Sequence, residues 1–224
     1  MHWHRVRDGA FTQLRRPLAA TRRAVTALLC LGLLLVGCGS GEPGIEPLAS
    51  GATVLAFGDS LTFGTGAKPE ESYPVVLTAL TGLTVVNAGV PGEVSVDGLR
   101  RLQATLERES PKLVVLCHGG NDILRRLDVK ATEQNLRAMV AQIRDYGASV
   151  VMLGVPAPSL LLGAAPFYEQ VAEDLGVPYD GDIIGELLRD NRLKSDTVHP
   201  NAQGYDLLAQ AVVSLLQKAG ALRP

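Results

Sequence analysis

Disulfide-forming cysteine, tryptophan and histidine are scarce in this chain of 224 residues, which carries three cysteines, one tryptophan and four histidines. Three cysteines cannot build the cross-linked scaffold of a small secreted domain, and a chain of this length buries enough apolar surface to hold together without one. There is no internal repeat, no second composition class within the folded part, and no apolar run long enough to cross a bilayer, which takes about 20 residues. Neither sign of charge dominates strongly, with 21 basic against 23 acidic side chains.

The apolar run that does occur, AVTALLCLGLLLV over 24–36, follows Arg15, Arg16, Arg22 and Arg23 and leads into GCGSGEPG. A basic start, an apolar middle and a small-residue exit describe an export signal. Its end, Leu35-Val36-Gly37-Cys38, resembles the lipobox of bacterial lipoproteins, which implies cleavage before Cys38 and acylation of that cysteine. An ordinary cleavable signal with an incidental Cys38 is the other reading. The expected organisation is a signal over 1–37, a Gly/Pro/Ser-rich flexible tether over 38–51 and one folded domain over 52–224. The protein is then expected on the periplasmic side of a bacterial envelope, anchored to the membrane through Cys38.

Removing 1–37 leaves 15 basic and 22 acidic residues, a net charge near −7. That disfavours nucleic acid as a partner. The only tryptophan, Trp3, leaves with the signal, Cys117 becomes the one free thiol, and the imidazoles are reduced to His118 and His199.

From Thr53 onward, short runs of β-favouring residues recur at 53–57, 83–87, 112–117 and 149–155, with a weaker one at 176–179. They are apolar along their length rather than alternating, as parallel strands covered on both faces are. Between them lie helical periods, such as Leu99, Leu102 and Leu106, or Leu136, Met139, Val140 and Ile143 ending at Tyr146-Gly147. A last helix carries Tyr205, Leu208, Ala209, Val212, Leu215 and Leu216 on one face, with Asn201 as N-cap. This alternation predicts an α/β fold, a five-stranded parallel sheet with right-handed crossovers and helices on both faces. Ligands of such sheets bind beyond the carboxyl ends of the strands.

The residues at those ends carry chemistry. The first strand delivers Gly58-Asp59-Ser60. The second leads into NAGVPGE, 87–93, and the third into His118-Gly119-Gly120-Asn121-Asp122. A serine hydroxyl is a poor nucleophile until a base takes its proton. His199, in Asp196-Thr197-Val198-His199-Pro200, has an aspartate three residues ahead that can fix its tautomer and stabilise its charged form. His118 follows a buried strand and reads as a packed, hydrogen-bonded residue. Acyl transfer also needs donors for a developing oxyanion, and three are on offer: the N–H of Ser60, a glycine N–H in the 87–92 loop, and the side-chain amide of Asn121. Asp59 reads as a brace for its loop.

Taken in this order, GDSLTFG, NAGVPGE, GGND and DTVHP resemble the blocks of the GDSL or SGNH hydrolases, and within them the bacterial thioesterase I, lysophospholipase L1 and arylesterase group. The resemblance spans nearly all of 52–217. It implies Ser60 as nucleophile, Asp196 and His199 as its partners, and an oxyanion hole of Ser60, Gly92 and Asn121, with Gly89 as the alternative glycine. It also implies a three-layer α/β/α sandwich that needs no metal and no cofactor; the sequence leaves the oligomeric state open, with a monomer expected. The implied reaction is attack by Ser60 on an ester or thioester carbonyl, followed by hydrolysis of the acyl-enzyme.

For the acyl group, Ile123, Leu124 and Leu127 follow the Asn121 block, and Leu160 and Leu161 follow the fourth strand. These leucines form either an apolar slot beside Ser60 or ordinary core. A slot favours acyl or aryl esters, including lysophospholipids. Carbohydrate acetates fit less well without a tryptophan platform for sugar rings. Two other classes compete: an envelope lipoprotein that binds a lipid or glycan without turning it over, and a flavodoxin-like nucleotide binder. The second would need a phosphate-cradling loop after the first strand, and Gly-Asp-Ser is poorly suited to that.

Overall fold

Val54 to Phe57 and Leu113 to Cys117 are wholly inaccessible to solvent, and these two segments form the centre of the sheet around which the rest is arranged. The computed structural model describes residues 44–157 and 163–223. Five parallel strands, β1 (Thr53–Gly58), β2 (Thr84–Gly89), β3 (Leu113–Cys117), β4 (Ser149–Leu153) and β5 (Tyr179–Asp180), lie in the order β2-β1-β3-β4-β5. The register runs Gly58 opposite Gly89 on one side and opposite Cys117 on the other. The ends of β1, β2 and β3 therefore lie level, and the three loops that follow start side by side.

Helix α1 (Ser60–Phe63) opens directly off β1, and α2 (Tyr73–Thr81) leads to β2. Then come α3 (Ser95–Glu109), α4 (Gly120–Leu124), α5 (Val129–Asp145), α6 (Pro166–Leu175), α7 (Ile183–Arg189) and α8 (Ala202–Lys218). Right-handed crossovers put α2 on the face opposite α3 and α5, because the chain reverses its direction across the sheet after β2. The packing agrees: α2 lies on α8, while α3 lies on α5. The reversal leaves a crevice at the carboxyl ends of β1 and β3, where ligands of doubly wound sheets bind.

The helices form where the apolar periods predict. Leu136, Met139, Val140 and Ile143 are the buried face of α5, and α8 buries Tyr205, Leu208, Ala209, Val212, Leu215 and Leu216. Asn201 caps α8, its side-chain oxygen accepting from the Gly204 N–H at 3.1 Å. Truncating one of the fully buried leucines, such as Leu116, would cost about 2–5 kcal/mol.

Two strands differ from their sequence pattern. β2 is an edge strand with no fully buried residue. Its apolar run looks like that of a central strand, yet among the described residues one flank has no neighbouring strand. β5 shrinks to two residues at Tyr179–Asp180, since Gly176 takes a left-handed φ of 57° to cap α6 and Pro178 has no N–H for a ladder. Within the stretch expected as tether, Ile45 and Leu48 pack on the core, and their N–H groups donate to the Ala219 and Ala221 carbonyls at 2.7 and 2.9 Å. Sequence composition conceals this because Ile45 and Leu48 are the only large aliphatic side chains in a Gly/Pro-rich run.

Candidate active site

Asp59 follows β1 and caps α1. Its Oδ1 accepts from the Leu61 N–H at 3.1 Å, which makes Ser60 the first helical residue. The turn is held from both sides: Gly64 closes α1 by donating to the Ser60 carbonyl, and the Tyr205 hydroxyl on α8 donates to the Thr65 carbonyl at 2.7 Å. A four-residue helix has little stability of its own, so these anchors fix the Ser60 side chain.

His199 comes from the loop before α8. Its Nε2 lies 2.9 Å from the Ser60 Oγ and its Nδ1 lies 2.8 Å from Asp196 Oδ2. The other Asp196 oxygen accepts the N–H groups of Val198 and His199 at 2.8 and 2.9 Å. Partial burial pushes the Asp196 carboxyl up, but the hydrogen bonds from the His199 ring and the Val198 amide outweigh it and hold the group below the usual carboxylate range. It therefore stays ionised against the ring. Ser195 and Asn201 fix the loop, through Ser195 N–H to the His199 carbonyl and Asn201 N–H to the Leu193 carbonyl, each 2.9 Å.

Asn121 stands on the first turn of α4. Its Nδ2 donates to Asp59 Oδ2 at 3.2 Å and to the Glu93 carbonyl at 3.1 Å, both long for N–H to oxygen. Asp59 is thus a brace that joins the first and third loops. Burial pushes its carboxyl above the usual range.

The two glycines expected as alternatives for an oxyanion donor separate clearly. The Gly89 N–H is already given to Asn87 Oδ1 at 2.9 Å, and its Cα is pressed against the Phe63 backbone. Gly92 sits in the turn after β2 with φ +77°, and among the described residues nothing accepts from its N–H or from that of Ser60. The turn is tied by the Arg125 Nη2, which donates to the Gly92 carbonyl at 2.7 Å.

A cleft of about 250 Å³ opens over Ser60, Asn121 and His199. Its apolar wall is only partly the one expected from sequence. Leu124 lines it, but Ile123 turns into the core and Leu127 stands outside it. The first helical turn of α4 points one side chain in and its neighbour out, which a run of apolar residues does not reveal. Leu160 and Leu161 lie outside the described residues, as does Cys38. Leu61, Val155, Leu188 and Val198 make up the wall instead. They come from four separate segments, so no shared local pattern marks them; only Leu61, next to Ser60, and Val198, next to His199, carry a positional clue.

His118 is fully buried away from the cleft, its Nδ1 accepting from the Gly119 N–H at 2.9 Å and its Nε2 3.0 Å from Glu93 Oε2. It is the packed histidine that sequence suggests. Burial pushes the Glu93 carboxyl up, but hydrogen bonds from His118 and Arg101 outweigh it and hold the group below its ordinary range. Among the described residues no group of three or more His, Cys, Asp or Glu side chains is placed to hold a metal ion, and no helix is long and apolar enough to cross a membrane.

Comparison with known proteins agrees with the fold. The chain is 30% identical over 194 residues to "Esterase TesA" of Pseudomonas aeruginosa, covering 80% of this chain and 90% of that protein. It is 28% identical over 177 residues to "Thioesterase 1/protease 1/lysophospholipase L1" of Escherichia coli K12, covering 75% and 85%. A crystal structure of the psychrotrophic esterase EstA from Pseudoalteromonas sp. superposes with a TM-score of 0.66 at 26% identity, over 74% of this chain and 97% of that one. The profile of the GDSL-like Lipase/Acylhydrolase family matches residues 56–207. The chain belongs to that family and is an ester-hydrolysing enzyme.

Proposed function

We propose that the protein is a serine esterase that works through an acyl-enzyme, with Ser60 as nucleophile, His199 as general base and then general acid, and Asp196 orienting the ring. The observation that carries this reading is the chain of two short contacts, Ser60 Oγ to His199 Nε2 at 2.9 Å and His199 Nδ1 to Asp196 Oδ2 at 2.8 Å. His199 takes the hydroxyl proton as the Ser60 oxygen attacks the ester carbonyl. The imidazolium gives that proton to the departing alcohol. Water, deprotonated by the same ring, then attacks the acyl carbon and releases the acid.

The oxyanion of each tetrahedral intermediate is received by the N–H groups of Ser60 and Gly92 and by the Asn121 Nδ2. The first two have no acceptor among the described residues. The Asn121 amide gives up its 3.1 Å bond to the neutral Glu93 carbonyl for a charged oxygen, which is the stronger acceptor. The acyl or aryl group lies along Leu124, Val155, Leu188 and Val198. This apolar wall favours carboxylic esters with medium to long acyl chains, lysophospholipids and acyl thioesters among them.

Hydrolysis of p-nitrophenyl butyrate tests the reading. The wild type should release nitrophenol with a pre-steady-state burst, and Ser60→Ala should lose turnover by several orders of magnitude. Equal turnover by the two proteins would refute Ser60 as nucleophile. A folded wild type inactive on acyl esters of every chain length would favour the alternative of an envelope lipid- or glycan-binding protein.

The enzyme is anchored in a bacterial membrane through acylated Cys38. Support comes from the Leu35-Val36-Gly37-Cys38 tetrapeptide behind a basic and apolar leader. Cys38→Ser, expressed in a bacterial host, should leave the membrane fraction; a variant still held there would overturn the anchor.

A further inference from the structure

The Arg101 guanidinium on α3 touches three of the segments that build the site and lines none of the cleft itself. Its Nη2 donates to the Gly58 carbonyl at 3.2 Å, one residue before Asp59 and two before Ser60, and to the Ala88 carbonyl at 3.0 Å, at the end of β2. Its Nε reaches both carboxylate oxygens of Glu93, at 2.7 and 2.9 Å, and Nη2 reaches Oε2 at 2.6 Å. The same Oε2 meets His118, which stands just ahead of Gly119-Gly120-Asn121. The His118 Nδ1 accepts a backbone N–H, so the ring proton sits on Nε2 and is donated to Glu93. The Tyr168 hydroxyl fixes the His118 carbonyl at 2.8 Å, and the Phe57 ring lies 4.0 Å beneath the guanidinium.

The Glu93 backbone is the other half of this arrangement. Its carbonyl accepts from Asn121 Nδ2, and the residue before it is Gly92. A carboxylate clamped by Arg101 and His118 therefore fixes the residue that directly follows Gly92 and whose carbonyl orients the resting Asn121 amide. The Glu93 side chain is 8% exposed, that of His118 0% and that of Arg101 26%. A buried ion pair of this kind adds little net stability compared with apolar packing of equal volume. What a bidentate guanidinium provides is direction.

We propose that Arg101 and Glu93, backed by His118, are positioning residues that hold the Gly92 and Asn121 oxyanion donors in register with Ser60. The inference rests on the serine-esterase reading above. Arg101 acts at long range in sequence and at one point in space: a single planar group spans the carbonyls at the ends of β1 and β2 and the loop between β2 and α3.

The test is a double-mutant cycle on p-nitrophenyl butyrate hydrolysis, with Glu93→Gln and Arg101→Lys made both in the wild type and in Asn121→Ala. Glutamine keeps the shape of Glu93 but cannot accept from both partners as a carboxylate does. Lysine keeps the charge of Arg101 but cannot span its contacts. In the wild-type background each should lower kcat/KM by about 10–100-fold, the size of effect expected for donors misplaced by a fraction of an ångström to 1 Å. In the Asn121→Ala background, where the donor set is already broken, each should cost less than about threefold. Equal losses in both backgrounds, or no loss in the wild type, would overturn the proposal, because a merely structural role would act regardless of Asn121. Loss of the folded state in both variants, seen by circular dichroism, would also overturn it by marking the cluster as a stability element. Ser60→Ala run in parallel separates this outcome from failure of the esterase reading: undiminished turnover there removes the nucleophile, whatever Arg101 does.

Discussion

Asp59 and Asn121, 62 positions apart, are joined by a hydrogen bond of 3.2 Å from the asparagine amide to the aspartate Oδ2. The bond is possible because Gly58 and Cys117 are register partners on adjacent strands, which brings the two loops off the sheet together. One end of it is a carboxylate almost wholly out of water, and the polarity of the bond cannot be inverted without consequence.

Asn121→Asp would set a second carboxylate against Asp59. Two such groups in a buried site cannot both ionise, and one proton is shared between them. The folded pair then has a raised pKa compared with about 4 for an unfolded aspartate. Stability is full below that unfolded value and is lost as pH rises through the shared folded pKa. The variant should be less stable than the wild type at pH 7 by roughly 3 kcal/mol or more, and the gap should close on acidification toward pH 4. Urea unfolding of both proteins across this range measures it. A gap that stays constant or widens in acid would show that the two side chains do not face each other.

Gly89 and Gly92 should respond differently to the same substitution. A Cβ on Gly89 would collide with the Phe63 nitrogen and lie 2.6 Å from the Phe63 Cα and 2.7 Å from the Thr62 carbonyl carbon, so the α1 backbone that carries Ser60 must shift. Gly89→Ala should destabilise strongly and abolish turnover. Among the described residues a Cβ on Gly92 meets only the Arg125 Nη2, at 3.6 Å. Its cost is the left-handed backbone, about 1–2 kcal/mol, and its N–H remains in place. Thermal unfolding with parallel turnover assays separates the two, and a Gly89→Ala enzyme as stable as Gly92→Ala would contradict the close approach of β2 and α1.

Asp196→Ala removes one oxygen from the His199 ring and the other from two backbone amides. Turnover should fall by about 10²–10⁴-fold, while the far-ultraviolet dichroism stays unchanged, because the Asp196 side chain is 52% exposed and packs no core. Turnover within threefold of wild type would remove Asp196 from the mechanism.

Much of this site could be read in the sequence because each part is local. Asp196 and His199 are three residues apart, and their contact is a property of one turn. Ser60 and Asn121 mark the ends of strands whose apolar runs are unambiguous, and a parallel sheet brings such ends to one edge whatever the helices do. The cleft wall and the Arg101 cluster could not be read in the same way. Leu188 and Val155 belong to segments whose apolar side chains look like any other core positions, and only the tertiary fold decides which face the cleft. Arg101 looks like one more charged residue on an amphipathic helix, and its buried partners lie on three other segments. The edge position of β2 was equally hidden, since strand order is a property of the whole chain.

Glu93→Gln also makes a prediction about pH. The Glu93 carboxyl is held below its ordinary value in the folded state, against the effect of burial, by His118 and Arg101. A group depressed in this way contributes stability above its unfolded pKa, about 4.3, and the contribution is lost as pH falls through the lower folded value. The wild type should therefore exceed Glu93→Gln in stability by a constant margin at neutral pH, with the margin shrinking only below about pH 4.3. Denaturant unfolding at a series of pH values checks the sign. A margin that grows on acidification would mean that Glu93 is protonated in the folded enzyme and is not clamped as a carboxylate.

Leu124 offers the test of where the acyl group lies. It lines the cleft three residues after Asn121, yet its residue surface is 52% exposed, so polar replacement removes apolar contact from the cleft without opening the core. Leu124→Ser should leave stability within about 0.5 kcal/mol of wild type. A buried methylene is worth about 0.8 kcal/mol, close to fourfold in rate if the contact is kept in the transition state. In the proposed placement an acetyl group is too short to reach beyond the Ser60 end of the wall, whereas an octanoyl chain lies along it. The ratio of kcat/KM for p-nitrophenyl octanoate to that for the acetate should thus fall about 4–15-fold in Leu124→Ser, through loss of one to two methylenes' worth of contact. An unchanged ratio would put the acyl chain on the other side of Ser60 and leave the Leu124 wall to the alcohol or aryl group.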